Sequence, residues 1–396
     1  MVFAVFEKRN GVRSDMQQNP SAHSGRFLFL NLFRGAFAIV MLEGHTFRAL
    51  LDASFKAGAV YQYHELVHNL TGPAFLFASG VAFSLATLSR WESYRTWSRQ
   101  FARRLIRFLS LLLLGYALHL TYFSLRRTVG EGTPEQFSSL MSMDILQCIA
   151  ASGLLLQLLV MILPGPRWFF AAAAAGCVVI GLTSPFVWGA SHHFPFWLGT
   201  SLSGKWGSVY PFFPYAGFQL AGAAWGYLFV QAGRQEAESG FLRLSRRYFT
   251  WLVLGCLTAS FLPMPHLYSD YWNTGPAFYF LRVGILCLLV IPFRLAESRL
   301  ESHLGVMSLI GKESLVVYVS HLLLLHGSAF NPDRNILKLL GTAQNPVHTT
   351  LVLLLLLSSM IALSWTWSRL KNDHNWKARG LQLTLAGYLF YAFASG

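Results

Sequence analysis

Residues 26–45 read Arg26-Phe-Leu-Phe-Leu-Asn31-Leu-Phe-Arg34-Gly35-Ala-Phe-Ala-Ile-Val-Met-Leu-Glu43-Gly44-His45. A helix needs about 20 mostly apolar residues to cross the hydrocarbon of a bilayer, and this run with its continuation reaches that length without a proline. Further runs of the same kind follow along the chain. Spans are expected at roughly 27–50, 69–88, 104–124, 144–163, 168–190, 209–231, 247–265, 275–294, 306–328, 347–367 and 380–395. One long apolar stretch is divided at Pro164-Gly165-Pro166-Arg167, a helix stop followed by a charge. The expected fold is therefore all-α, a polytopic transmembrane bundle of about eleven spans.

Composition agrees. Of 396 residues, 54% are hydrophobic, 15% aromatic and only 12% charged, and the mean hydropathy is +0.43. Soluble domains carry about a quarter charged residues. A chain this apolar cannot cover a water-facing surface, which excludes a cytosolic enzyme, a disordered protein and a coiled coil. The net charge of +14 does not point to nucleic acid, because the basic residues sit in short segments between apolar runs, where they set membrane orientation. Cys148, Cys177, Cys256 and Cys287 lie inside apolar segments without metal-ligand or disulfide-framework spacing, so they read as small core residues. Residues 1–25 are too long and polar for a cleavable signal and are expected to remain as a cytoplasmic tail, with 26–396 forming one transmembrane domain.

Placing the N-terminus inside puts most of the 31 Lys and Arg residues on the cytoplasmic side, most densely at Arg90, Arg95, Arg99, Arg103, Arg104 and Arg107. An odd number of spans then leaves the C-terminus outside. The expected setting is a multi-pass protein of the bacterial inner membrane, in contact with lipid. With this orientation the 13 histidines fall at or near the outer side, all but His23, His303 and His374. Histidine suits an interface and arginine obeys topology, so a loop histidine alone decides little. Ionisable groups within spans are stronger candidates for function.

Arg34 and His45 are such groups. Eleven residues apart, or about 1100° of helical rotation, they share a helix face within about 20° and lie about 16 Å apart along the axis. Asn31 falls near the same stripe, and Glu43 points almost to the opposite side. A cation toward the inner side and an imidazole toward the outer suit a long anionic ligand threaded from the cytoplasm. The bland alternative is an arginine snorkelling inward and a histidine bonding a neighbouring helix. A second polar stripe occurs in Gly311-Lys-Glu-Ser314-Leu-Val-Val-Tyr318-Val-Ser320-His321. Ser314, Tyr318 and His321, spaced i, i+4, i+7, face one way, with His321 at a depth where it can meet His45. Helix packing explains Ser314 and Tyr318 equally well.

These residues resemble the membrane-bound acyltransferase superfamily that includes the acyltransferase-3 proteins and the heparan-α-glucosaminide N-acetyltransferase-like proteins. The usual opening is Leu-Asp-x-x-Arg-Gly, then a histidine ten residues after the arginine. Here it stands as Leu30-Asn31-Leu-Phe-Arg34-Gly35 with His45 in register, Asn31 replacing the aspartate. Also similar are Gly72-Pro73-Ala74-Phe75-Leu-Phe-Ala-Ser-Gly80, Tyr210-Pro211-Phe-Phe-Pro214-Tyr-Ala-Gly217 and the pattern ending at His321. The span count looks like the heparan-type branch and the histidine spacing like the acyltransferase-3 branch.

The resemblance implies acyl transfer from cytoplasmic acyl-CoA, acetyl-CoA being the expected donor, to a glycan or glycolipid acceptor at the outer face. No metal is expected. Arg34, Arg103, Arg104 and Arg107, with Asn31 beside them, would meet the donor's phosphates. His45 would act as the base, helped by His68 or His321, or would itself carry the acyl group. Two other classes stay open. His64-Glu65-Leu66-Val67-His68 matches the H-E-x-x-H zinc-protease signature, although no partner motif supplies a third ligand. Polar stripes in a bundle also suit a transporter of a small solute, with Gly72-Pro73 and Gly275-Pro276 as candidate helix breaks.

Overall fold

The computed structural model describes residues 28–260, 270–300, 305–329 and 331–395. The expected tail and His23, His266 and His303 lie outside them. In chain order the long elements are α1 (Leu28–Leu50), α2 (Ala59–His68), α3 (Thr71–Leu88), α4 (Arg99–Leu118), α5 (Ile145–Ile162), α6 (Pro166–Ala190), α7 (Phe212–Arg234), α8 (Glu238–Ser260), α9 (Pro276–Leu300), α10 (Gly305–Lys312), α11 (Ser314–Leu325), α12 (Pro346–Asp373) and α13 (Asn375–Ser395). Shorter helices fill the connections. Among the described residues the only strand-like pairing is a lone bridge between Leu51 and Gln344.

Local chemistry sets the boundaries. The Ser98 hydroxyl accepts from the Phe101 N–H to open α4, a capping box of Asp144 and Gln147 opens α5, and Pro166 at the first position after Gly165 opens α6. The Pro164-Gly165-Pro166 stop expected from the sequence therefore separates two helices.

Among the described residues six helical runs are long and apolar enough to cross a membrane: α1, the run Ala59–Leu88, α5, Pro166–His193, Pro276–Glu297 and α12. Many of the large apolar side chains on these helices face outward, Phe186, Leu354 and Leu355 among them, as lipid contact requires. The chain is thus an integral membrane protein. Four more expected spans fall on α4, α7, α8 and α13, helices of 20, 23, 23 and 21 residues whose polar content leaves them below that test. The expected span at 306–328 is two helices, α10 and α11, bent by 79°. At the break Glu313 is buried, and its carboxylate accepts from Lys371 Nζ on α12 at 2.5 Å.

α3, α9, α10, α11 and α12 all touch α1, while the main buried cluster also takes in α5, α6 and α7. Small residues let backbones approach closely in a bundle. A Cβ at Gly35 would stand 2.0 Å from the Met307 carbonyl oxygen, and one at Gly311 would stand 1.8 Å from that of Asn31. Both positions have to be glycine for α10 to lie on α1. Gly80 and Gly222 do the same between α3 and α7. The four cysteines are buried and free.

Candidate active site

A cavity of about 510 Å³ runs alongside α1, within the range usual for small-molecule sites. Arg34 and His45 both line it, so the two residues that share a face of α1 also share a chamber. At the Arg34 end, α4 contributes Arg104 and Arg107 and α11 contributes Ser314. At the His45 end the wall includes Arg48, Thr71, Asp144, Tyr210 and Tyr318.

Each member of the Ser314–Tyr318–His321 stripe has a separate partner. Arg34 Nη2 donates to Ser314 Oγ at 2.5 Å. Tyr318 Oη donates to Asp144 Oδ2 at 2.9 Å, the carboxylate that caps α5, and His119 Nε2 stands 3.8 Å from the same oxygen. His321 Nε2 lies 3.1 Å from His45 Nδ1, and His321 Nδ1 lies 3.0 Å from the Val317 carbonyl oxygen. A carbonyl only accepts, so His321 Nδ1 carries the proton and its Nε2 offers a lone pair. His45 Nδ1–H donates to that lone pair. The assignment leaves Nε2 of His45 unprotonated, on a side chain that lines the cavity. A histidine held in one tautomer, with its other nitrogen bare, is how proteins build a general base or an imidazole nucleophile.

Arg104 is held rigidly: its guanidinium donates to Thr87 Oγ1 and Gln157 Oε1, each at 3.0 Å, and stacks on Tyr94 with 3.4 Å to the ring centroid. Arg107 is more exposed and lines the cavity beside it. Arg103, on the same helix, is exposed and is not part of the wall. Asn31 is also off the wall, where its carbonyl faces Gly311. His68 does not join His45 and His321. It lies with His64 and Glu43 in a separate cluster between α2 and α1.

Asp144, Tyr210 and Arg48 were not singled out from the sequence. Asp144 left a signal, as the lone acid at the start of an otherwise apolar run. Tyr210 stands in a motif that was quoted, and its ring needs the missing side chain at Gly72, where a Cβ would come within 2.1 Å. Nothing in the sequence marks Arg48, whose importance comes from a contact with Glu65, 17 positions away.

Among curated proteins none matches the chain. The family profile described as heparan-alpha-glucosaminide N-acetyltransferase, catalytic, matches residues 26–255. The match covers more than half of the chain and takes in the Arg34–His45 face, the arginines of α4 and Asp144, whereas the α11 stripe lies beyond it. With a bare imidazole nitrogen and a set of cations opening on one chamber inside that matched region, the chain belongs to the heparan-alpha-glucosaminide N-acetyltransferase catalytic family, a family of membrane acetyltransferases.

Proposed function

We propose that the protein transfers an acyl group, acetyl being the expected one, from cytoplasmic acyl-CoA to a carbohydrate or glycolipid acceptor at the far face of the membrane. The observation that carries this reading is the single cavity shared by Arg34 and His45, with His45 Nδ1 held by His321. The donor enters at the Arg34 end, where Arg34, Arg104 and Arg107 pair with its phosphates, and Arg103 adds to the positive field outside. Asn31 acts through its backbone, seating α10. The pantetheine arm then runs the ~16 Å along α1 to bring the thioester carbonyl to His45.

There the acceptor oxygen or nitrogen attacks the carbonyl carbon as its proton passes to His45 Nε2. The tetrahedral centre collapses with cleavage of the C–S bond, and the imidazolium returns the proton to the leaving thiolate, giving acylated acceptor and free CoA. If His45 Nε2 attacks first, an acyl-imidazole and CoA form, and the acceptor then takes the acyl group. Both routes use the same nitrogen. His68 stands apart from either.

In this reading the chain has eleven spans, the N-terminus and the Arg34 end inside, and the His45 end and C-terminus outside, in a bacterial inner membrane. The orientation rests on the Lys and Arg bias. One observation favours a second reading. Transporters place substrate sites at broken helices, and α10 and α11 are broken by 79°.

Purified protein given acetyl-CoA and a glycan acceptor separates the two. Acyl transfer requires release of free thiol and labelled acceptor, both lost in His45→Ala, with donor binding weakened in Arg34→Ala. Translocation without thioester cleavage in the wild type would overturn the enzymatic reading.

A further inference from the structure

The cluster that takes His68 away from the cavity has a chemistry of its own. His64 and His68 are four residues apart on α2 and present their Nε2 atoms on one side. Glu43 on α1 comes to meet them, with Oε1 at 2.6 Å from His64 Nε2 and Oε2 at 2.6 Å from His68 Nε2. The two Nε2 atoms are 3.0 Å apart.

Protons satisfy this triangle only by crowding the donors. If both nitrogens carry hydrogen, each donates to its own carboxylate oxygen, with the two N–H nitrogens held 3.0 Å apart. If only one does, the other turns a lone pair toward a carboxylate oxygen. If neither does, every contact sets lone pair against lone pair. A single cation at the centre, taking a lone pair from each atom, removes the conflict.

Three further observations point the same way. Buried Nδ1 of His64 and buried Oε1 of Glu65 have no hydrogen-bond partner among the described residues, and they stand 3.9 Å apart. A metal-bound imidazole carries its proton on the outer nitrogen and gives it to a carboxylate, and Glu65 Oε1 would serve His64 in this way by closing about 1 Å of the present gap. The other oxygen of Glu65 is bound by Arg48 at 2.5 Å, which commits that carboxylate and removes it as the water-activating base of a protease. Finally, a Cβ on Gly44 would stand 2.1 Å from His68 Nδ1, so only glycine there lets the His68 ring lie against α1 beside Glu43.

We propose that Glu43, His64 and His68 form a resident site for one divalent transition-metal ion, zinc being the natural fit to two imidazoles and a carboxylate. Tetrahedral bonds of about 2.0–2.1 Å place ligand atoms about 3.3 Å apart, so the three atoms spread by less than about 1 Å on binding. The ion clamps α2 to α1. Through His64, Glu65 and Arg48 it also fixes a cation of the cavity wall. The site is structural and positioning, its fourth place filled by water. It stands independently of acyl transfer.

The test uses full-length protein purified without a histidine tag, stripped by dialysis against 1,10-phenanthroline and reloaded with Zn²⁺ or Co²⁺. Bound metal is read by mass spectrometry and Co²⁺ geometry by visible absorption. The proposal expects about one equivalent, an intense four-coordinate Co²⁺ band, and loss of both in His64→Ala and in Glu43→Gln. Glu65→Gln should weaken affinity about 10–100-fold. Replacing the adjacent pair His192 and His193 with alanine is the control and should leave the metal in place. Failure of the wild type to retain stoichiometric metal overturns the proposal, and so does metal that survives loss of both His64 and His68. These readouts do not depend on turnover, so the acyl-transfer reading can fail while the metal site stands.

Discussion

His45 Nδ1 and His321 Nε2 meet at 3.1 Å although 276 positions separate them in the chain. This contact joins α1 to α11 and, because His321 Nδ1 is committed to the Val317 carbonyl, sets which nitrogen of His45 is free. A chain of two imidazoles ending on a backbone carbonyl gives a base whose orientation does not depend on substrate.

His45→Ala should therefore lower kcat by about 10²- to 10⁴-fold, the usual contribution of a positioned acid–base group. His321→Ala should lower kcat in the same direction with little change in KM for the donor, because it removes the orientation and not the binding. Since the two act as one unit, the double variant should be no worse than His45→Ala alone. Steady-state kinetics on the four proteins checks this, and additive losses would show that the histidines work separately.

Arg34 donates to Ser314 at 2.5 Å across the cavity. Hydrogen bonds to charged groups contribute about 1.5–3 kcal/mol, so Arg34→Ala should weaken CoA binding by roughly 10- to 150-fold in calorimetric titration. Arg34→Lys should recover only part of it, because an ammonium lacks the planar fork that engages phosphate and Ser314 together. Ser314→Ala should cost less than either.

The glycines between α1 and α10 give a prediction about stability alone. With the Met307 carbonyl 2.0 Å from a Cβ at Gly35 and the Asn31 carbonyl 1.8 Å from one at Gly311, alanine at either site forces rigid backbone apart. Overpacking of this kind costs about 1–3 kcal/mol, visible as a lowered Tm in detergent. Gly380→Ala, where a Cβ meets nothing within 4 Å, should leave Tm unchanged.

What could be seen in the sequence was what helical periodicity encodes. The shared face of Arg34 and His45 and the i, i+4, i+7 stripe at Ser314, Tyr318 and His321 depend only on the pitch of a helix, and both line up in the structure as the spacing requires. Partners were not legible, because periodicity fixes a direction and not a neighbour. Glu43 was correctly placed opposite His45, yet nothing in its position announces His64, 21 residues on. The bend between α10 and α11 was hidden for the same reason. Lys312 and Glu313 look like charges tolerated in one apolar span until Lys371, 58 residues beyond Glu313, is brought beside it.

That pair can be tested directly. Glu313 is buried, with a side-chain exposure of 3%, against 34% for Lys371. Removing the amine by Lys371→Met leaves a buried carboxylate without its donor and should destabilise the fold by about 1.5–3 kcal/mol. Glu313→Gln in the same background should restore part of the loss, because the uncompensated charge is gone. Thermal unfolding of the three variants decides it, and equal destabilisation by both single changes with no recovery in the double would assign the bend to packing alone.

Lys and Arg cluster around the start of α4, at Arg90, Arg95, Arg99 and Arg103, and around the junction of α12 and α13, at Arg369, Lys371, Lys377 and Arg379. Short loops rich in Lys and Arg stay in the cytoplasm. If α13 crosses the bilayer once from the cytoplasmic segment 369–379, a C-terminal reporter should lie outside, and phosphatase fused there should be active. Residues 380–395 of α13 rise about 24 Å at about 1.5 Å per residue, so the crossing is a short one, and its flank is basic only at the start. A reporter active only in the cytoplasm would mean that α13 lies along the surface. It would also place the C-terminus on the side proposed for donor entry.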